Sequence, residues 1–212
     1  MKNTALFAAL LFSIMLLTGC AASGQQSQTE NGNSAEKAAA EFSPEKAFAE
    51  VICPAEEALK WAEENPVAVS GENCSGHEII ASFFKTANDG KQASVLCAKY
   101  YELHPESMSA ELYEAEKDQY PVLYFFLVEY DGGEYRVRIR DSRETTPETD
   151  ETYQHLVFLT GENPESALTK YTDEYDLVDD PDITLEELKR SMYSSSSGDW
   201  IRHKNVFTDF HD

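Results

Sequence analysis

Four arginines, Arg136, Arg138, Arg140 and Arg143, recur at nearly alternate positions in "EYDGGEYRVRIRDSRE", Glu129 to Glu144. Guanidinium groups two residues apart on a strand share one face, where their paired N–H donors could hold a phosphate or a carboxylate. Cys74 and His77 in "CSGH" are the residue types of a thiol nucleophile and its base, but the sequence supplies no third group to orient them. The acids Asp173, Glu174, Asp176, Asp179, Asp180 and Asp182 offer the oxygens that calcium takes; no DxDxDG run accompanies them, and Pro181 interrupts the loop. The histidines His77, His104, His155, His203 and His211 form no HExxH pattern, and no GxSxG, phosphate loop or dinucleotide fingerprint occurs. The sequence therefore assigns no catalytic residue, no metal ligand and no cofactor.

The arginines stand in a chain of formal net charge -22, beside its most acidic part. Between Glu144 and Glu187 there are fourteen acids and one base, Lys170. Alternating with Tyr135, Val137 and Ile139, the arginines read first as the solvent side of an antiparallel strand, balanced by the acids of "TDEYDLVDD". The competing reading is an anion-binding face for a phosphate-bearing envelope polymer or an acidic peptide. Nucleic acid is excluded as a partner by the repulsion between this charge and a phosphate backbone.

The address lies in the first twenty residues. Lys2 gives a short positive region, Ala5 to Leu17 is an apolar run too short for a membrane span, and small residues lead into Cys20. The ending Leu17-Thr18-Gly19-Cys20 resembles the lipobox of bacterial lipoproteins, which implies cleavage after residue 19 and a diacylglyceryl group on Cys20. Acyl chains contribute roughly 0.8 kcal/mol per buried CH2, so two of them anchor a protein stably. Loss of Lys2 takes the side-chain charge from -22 to -23.

Residues 20–42 are small and polar and read as a disordered tether behind the anchor, with an r.m.s. reach of about 25 Å. Residues 43–212 suffice for one α+β domain, with a flexible Ser-rich spacer at 194–199. Of the remaining cysteines, Cys53 and Cys74 are the favoured disulfide pair, and Cys97, inside an apolar strand, is a buried small hydrophobe.

The elements that must position these groups follow from turn signals and periodicity. Ser43-Pro44 caps a first helix, and Pro54 restarts it as "PAEEALKWAEEN". "PVAVSG" is a short strand. Ile79, Ile80, Phe83, Phe84 and Ala87 make one apolar helical face in the longest helix, which Gly90 ends. "QASVLCAKYYEL", "PVLYFFLVEY", "EYRVRIR", "TYQHLVFLT" and "KYTDEYDLV" are strands of one mainly antiparallel twisted sheet of about five to six strands, on which the helices pack. A short helix belongs in the segment between the first two. Thr184 and Glu187 form a capping box that opens a late C-terminal helix, and the segment around Trp200 to Phe210 docks on the domain. Asp131-Gly132-Gly133 marks a hairpin. A two-residue turn pairs Val128 with Tyr135, Phe126 with Val137 and Tyr124 with Ile139, leaving Leu127, Phe125 and Leu123 opposite the arginines; a three-residue turn with a bulge reverses the faces.

From about Pro54 to Val178, the order "EEALKWAEENPVAVSG", "FFKTANDGK", a strand, "VEYDGGEYRVRIRDSR" and two further strands resembles a domain of unknown function found in small secreted lipoproteins of Gram-positive bacteria. The matching motifs are Asn88 to Lys91 and the hairpin with Asp141, Ser142 and Arg143. The long "HPESMSAELYEAEKDQ" insert and the Ser-rich C-terminal extension depart from it. The resemblance implies an extracytoplasmic, lipid-anchored domain and transfers no catalytic residue. Two functions are consistent with these residues: a non-catalytic binding module meeting an envelope polymer or a protein, or an extracytoplasmic hydrolase assembled from distant carboxylates and a histidine.

Overall fold

The computed structural model describes residues 42–71, 74–162, 170–194 and 200–211. The leader, Cys20, the tether and most of the Ser-rich spacer lie outside them. The chain is α+β, but its strands form two sheets rather than one. Helices α1 (Pro44–Glu50) and α2 (Ala55–Glu63) precede the short strand β1 (Ala68–Ser70), followed by α3 (His77–Asn88) and β2 (Ala93–Tyr101). A 3-10 turn at Pro105–Ser107 and helix α4 (Ala110–Glu116) lead to β3 (Val122–Tyr130), β4 (Tyr135–Asp141) and β5 (Thr149–Tyr153). β6 (His155–Glu162), β7 (Tyr171–Val178), α5 (Leu185–Tyr193) and β8 (His203–His211) complete the fold.

The first sheet has the order β1-β2-β3-β4-β5, with β1 parallel to β2 and every other pair antiparallel. The second is the antiparallel ladder β6-β7-β8. The segment expected as the single strand "TYQHLVFLT" is divided between them at Gln154. Tyr153 and Leu156 are both buried in the same core. A continuous strand puts residues three apart on opposite faces, so burying both requires the chain to turn between them.

The two sheets share that core. Cys97, Phe126, Val128, Val137 and Ile139 of the first pack with Leu156, Tyr175, Leu177, Val206 and Phe207 of the second and with Ile80, Phe83 and Ala87 of α3. At the other edge the sheets also meet. Gly71 bridges Asp209, and the Ser70 hydroxyl accepts from the Thr208 N–H at 2.9 Å and donates to the Thr208 carbonyl at 3.1 Å. The C-terminal segment thus does more than dock: it is the central link, β8, between β7 and β1. On the outer face of the first sheet, α1 and α2 bury Phe48, Ala55, Ala58 and Ala62 against Leu96, Leu123, Phe125 and Leu127. α5 covers Leu159 with Leu185 and Leu188.

The expected capping box is formed: the Thr184 hydroxyl accepts from the Glu187 N–H at 3.3 Å, and the Glu187 carboxylate accepts from the Thr184 N–H at 3.0 Å. The β3–β4 turn is longer than expected. Asp131 Oδ1 accepts from the N–H groups of Gly133 and Glu134 at 2.8 and 3.0 Å, and this side-chain turn spans Asp131 to Glu134. Tyr130 therefore pairs with Tyr135, Val128 with Val137 and Phe126 with Ile139. The faces are those of the two-residue alternative, and the partners are shifted by two positions.

Candidate functional site

Arg140 corrects the expectation of a wet arginine face. Its residue is 1% exposed, because α1 and α2 cover the side of β4 that carries it. Nε donates to the Phe48 carbonyl at 2.6 Å and Nη2 to the Val51 carbonyl at 2.7 Å. Nη1 donates to the carbonyls of Asp141 and Glu144 at 3.1 and 3.0 Å. A helix leaves its last carbonyls without intrahelical donors, and here a guanidinium from another element satisfies them. The guanidinium also lies over the rings of Phe48 and Phe125, 5.1 and 5.2 Å from their centroids. Burial pulls its pKa down.

The other three arginines are paired within the fold, though not with the acids of β7. Arg136 makes a two-pronged pair with Asp150, at 2.7 and 2.6 Å, in the exposed register between β4 and β5. Arg138 reaches Glu129 at 2.9 Å and lies 5.6 Å from the Phe48 ring centroid. Arg143 grips Asp141 through Nε at 2.9 Å and Nη2 at 2.5 Å, which holds the Asp141 carboxyl below the usual carboxylate range. The "DSR" run is thereby a junction. Asp141 shapes the turn, and Ser142 ties it to the α1–α2 connection by donating its hydroxyl to the Cys53 carbonyl at 3.0 Å while its own carbonyl accepts from the Cys53 N–H at 3.1 Å.

Cys53 and Cys74 do not pair. Both are free thiols on opposite sides of the first sheet: Cys53 packs on the cluster under α1 and α2, and Cys74 on the core shared by the two sheets. Cys97 is buried in that shared core, as expected.

The third group missing from "CSGH" comes from the far end of the chain. Asp209 on β8 accepts a hydrogen bond from the Cys74 thiol at Oδ1, 2.8 Å away, and lies 3.4 Å from His77 Nδ1 at Oδ2. Two bridges set this approach, Val69 with Ser75 and Gly71 with Asp209. Gly76 lets the loop close, since its φ is 73° and a Cβ there would stand 2.6 Å from the Val67 carbonyl oxygen. The order of the three groups matters for chemistry. A nucleophile needs a base that takes its proton and an acid that orients the base, whereas here the carboxylate sits between the thiol and the imidazole. Burial and the Asp209 hydrogen bond push the Cys74 thiol up to about 12, so it stays protonated at neutral pH. The sequence showed two of these residues; a separation of 132 residues between His77 and Asp209 hid the third.

The acids of β7 and its following loop disperse. Asp173 lies 3.4 Å from His211 Nε2, Asp179 receives Arg202 at 2.8 Å, and Asp180 accepts from the Asp182 N–H at 3.0 Å. Asp176 is fully buried. Among the described residues no group of three or more His, Cys, Asp or Glu side chains is arranged to hold a metal ion. A shallow groove of about 610 Å³ runs beside α3, lined by Phe42, Pro44, Pro66, Ile79, Phe83 and Val95 among others. It contains neither His77 nor His155. No family model, no curated protein and no solved structure matches the chain.

Proposed function

We propose that the protein is a lipid-anchored extracytoplasmic lipoprotein whose domain serves as a non-catalytic binding module at the cell envelope. The address rests on the Leu17 to Cys20 motif and on the resemblance to Gram-positive lipoproteins of unknown molecular function. Among the described residues no helix is long and apolar enough to cross a membrane. The non-catalytic reading is carried by one observation. At the place where thiol, imidazole and carboxylate converge, Asp209 accepts a hydrogen bond from the thiol and the base is not interposed.

An envelope ligand or a protein partner then meets the domain through its surface, and the anchor supplies local concentration. Two measurements on cells and purified chain test this. Crosslinking on intact cells recovers a discrete partner with the wild-type chain and not with Cys20→Ser. Turnover of any envelope or secreted substrate that is abolished by Cys74→Ser or by His77→Ala contradicts the reading.

A further inference from the structure

Lys99 follows Cys97 on the face of β2 that looks toward the second sheet, at the edge of the shared apolar core. Its ammonium group donates to the Asn205 carbonyl at 2.9 Å and to Asn205 Oδ1, and lies 5.2 Å from the Phe126 ring centroid. Asn205 passes the contact on. Its Nδ2 donates to Asp176 Oδ2 at 3.2 Å and more weakly to Glu174 Oε2 at 3.5 Å, and its Oδ1 also accepts from the Thr208 hydroxyl at 2.9 Å. A polar relay thus runs from β2 through β8 to β7, tying the first sheet to the second.

A local irregularity builds the relay. Tyr175 pairs with Phe207 and Asp176 with Asn205, so Val206 is an extra residue on β8. Such a bulge re-aims the side chains around it. Here Val206 and Phe207 both enter the core, and Asn205 stands between the lysine and the acid.

The acid is incompletely satisfied. Asp176 is fully buried, its Oδ1 has no hydrogen-bond partner among the described residues, and it makes no direct ion pair with Lys99. A buried carboxylate with an unmatched oxygen is stabilised by taking up a proton. The charged groups that act on it are Glu174 from its own strand and Lys99 from β2; Lys99 in turn has the Cys97 thiol beside it and feels Lys204 from β8. Burial and then Glu174 raise the Asp176 carboxyl to about 7, against smaller opposing effects of Asn205 and Lys99. Burial lowers Lys99 to about 8.

We propose that Lys99, Asn205 and Asp176 form a proton-operated catch between the two sheets: with Asp176 protonated, β8 is seated against β2, and loss of that proton loosens the seating. The ionised acid draws water toward the relay, and the strand that yields is β8, which holds Asn205 in the middle of the relay and Asp209 at the bridge to Gly71. The proton is exchanged with solvent.

The test uses the mature full-length chain. Carbon-13 NMR follows the carboxyl of Asp176 across pH, and amide exchange gives protection, corrected for intrinsic rate, at about pH 5.5 and about pH 7.5. Asp176 is expected to titrate well above the other aspartates. Amides of Asn205 to Thr208 are expected to lose about tenfold in protection at the higher pH relative to those of β3 and β4, and Asp176→Asn is expected to abolish that difference. An ordinary Asp176 titration, an equal loss in β3 and β4, or the same β8 loss in Asp176→Asn overturns the proposal. If Asp176→Asn fails to fold, the wild-type titration and the comparison between strands decide it.

Discussion

Arg140 carries more of the fold than any other charged side chain described. Four backbone carbonyls, those of Phe48, Val51, Asp141 and Glu144, depend on it for a donor within 3.1 Å. Arg140→Met keeps the stem and removes the donors, leaving buried acceptors unmatched; it should lower unfolding free energy by about 3 kcal/mol or more. Arg136→Ser, at an exposed pair, should leave the urea midpoint unchanged within error. Urea titration of both variants checks the contrast, and equal midpoints would show that the burial of Arg140 is unimportant. The arginines were visible in the sequence as a stripe, but their separate fates were not. Strand periodicity assigns side chains to a face, and only the packing of α1 and α2, set by Phe48 and the alanines of α2, decides that this face is dry at Arg140 while Arg136 stays exposed. The same limit hid Asp209 from "CSGH". Asp176 has a raised pKa, so its protonated form favours folding, and stability from this group falls as pH climbs from about 3.8 to about 7. Lys99 has a lowered pKa, so its charge opposes folding below about 8 and that opposition fades as pH rises toward 10.5. Asp141, lowered chiefly by Arg143, stabilises above its ordinary range of about 3.8 and loses that contribution in stronger acid. Together these groups predict a higher urea midpoint near pH 5 than near pH 7.5, and the reverse order would contradict the assignments.

At the scale of elements, local signals that complete themselves were legible. The Thr184–Glu187 box, the Ser43 cap, whose hydroxyl accepts from the Lys46 N–H at 3.2 Å, and the apolar face of α3 each need only neighbours in sequence. Thr184→Ala should cost about 1 kcal/mol by loss of the cap, read as a lowered thermal midpoint with the fold intact. What the sequence concealed was the partition into two sheets, because it depends on a turn at Gln154 that carries no glycine or proline to mark it. The closing of the sheets at β1 and β8 likewise joins strands more than 130 residues apart. Gly76 lets the "CSGH" loop close on β1. Gly76→Ala combines a positive φ with a Cβ 2.6 Å from a backbone oxygen, and should destabilise by several kcal/mol. Near-wild-type stability of this variant would refute the tight approach of the "CSGH" loop to β1.

Across the whole molecule, the charge and the proposed address frame the function proposed for the domain. A chain of net charge -22 is repelled by anionic surfaces at large, and the four arginines of the β4 hairpin are matched to Asp150, Glu129 and Asp141 or to carbonyls. The chemistry visible at the residue level is therefore turned inward, toward holding two sheets and their helices together, and the outward role proposed is attachment and binding at the envelope. That role depends on where the chain is held. The most direct measurement is mass spectrometry of the N-terminal peptide from membrane fractions, alongside metabolic labelling with a fatty-acid analogue. The expected result is a mature chain that begins at Cys20 and carries a diacylglyceryl group, with Cys20→Ser unlabelled and lost from the membrane. An unmodified Cys20 in a chain that is nonetheless exported, or a chain still beginning at Met1, would contradict the account.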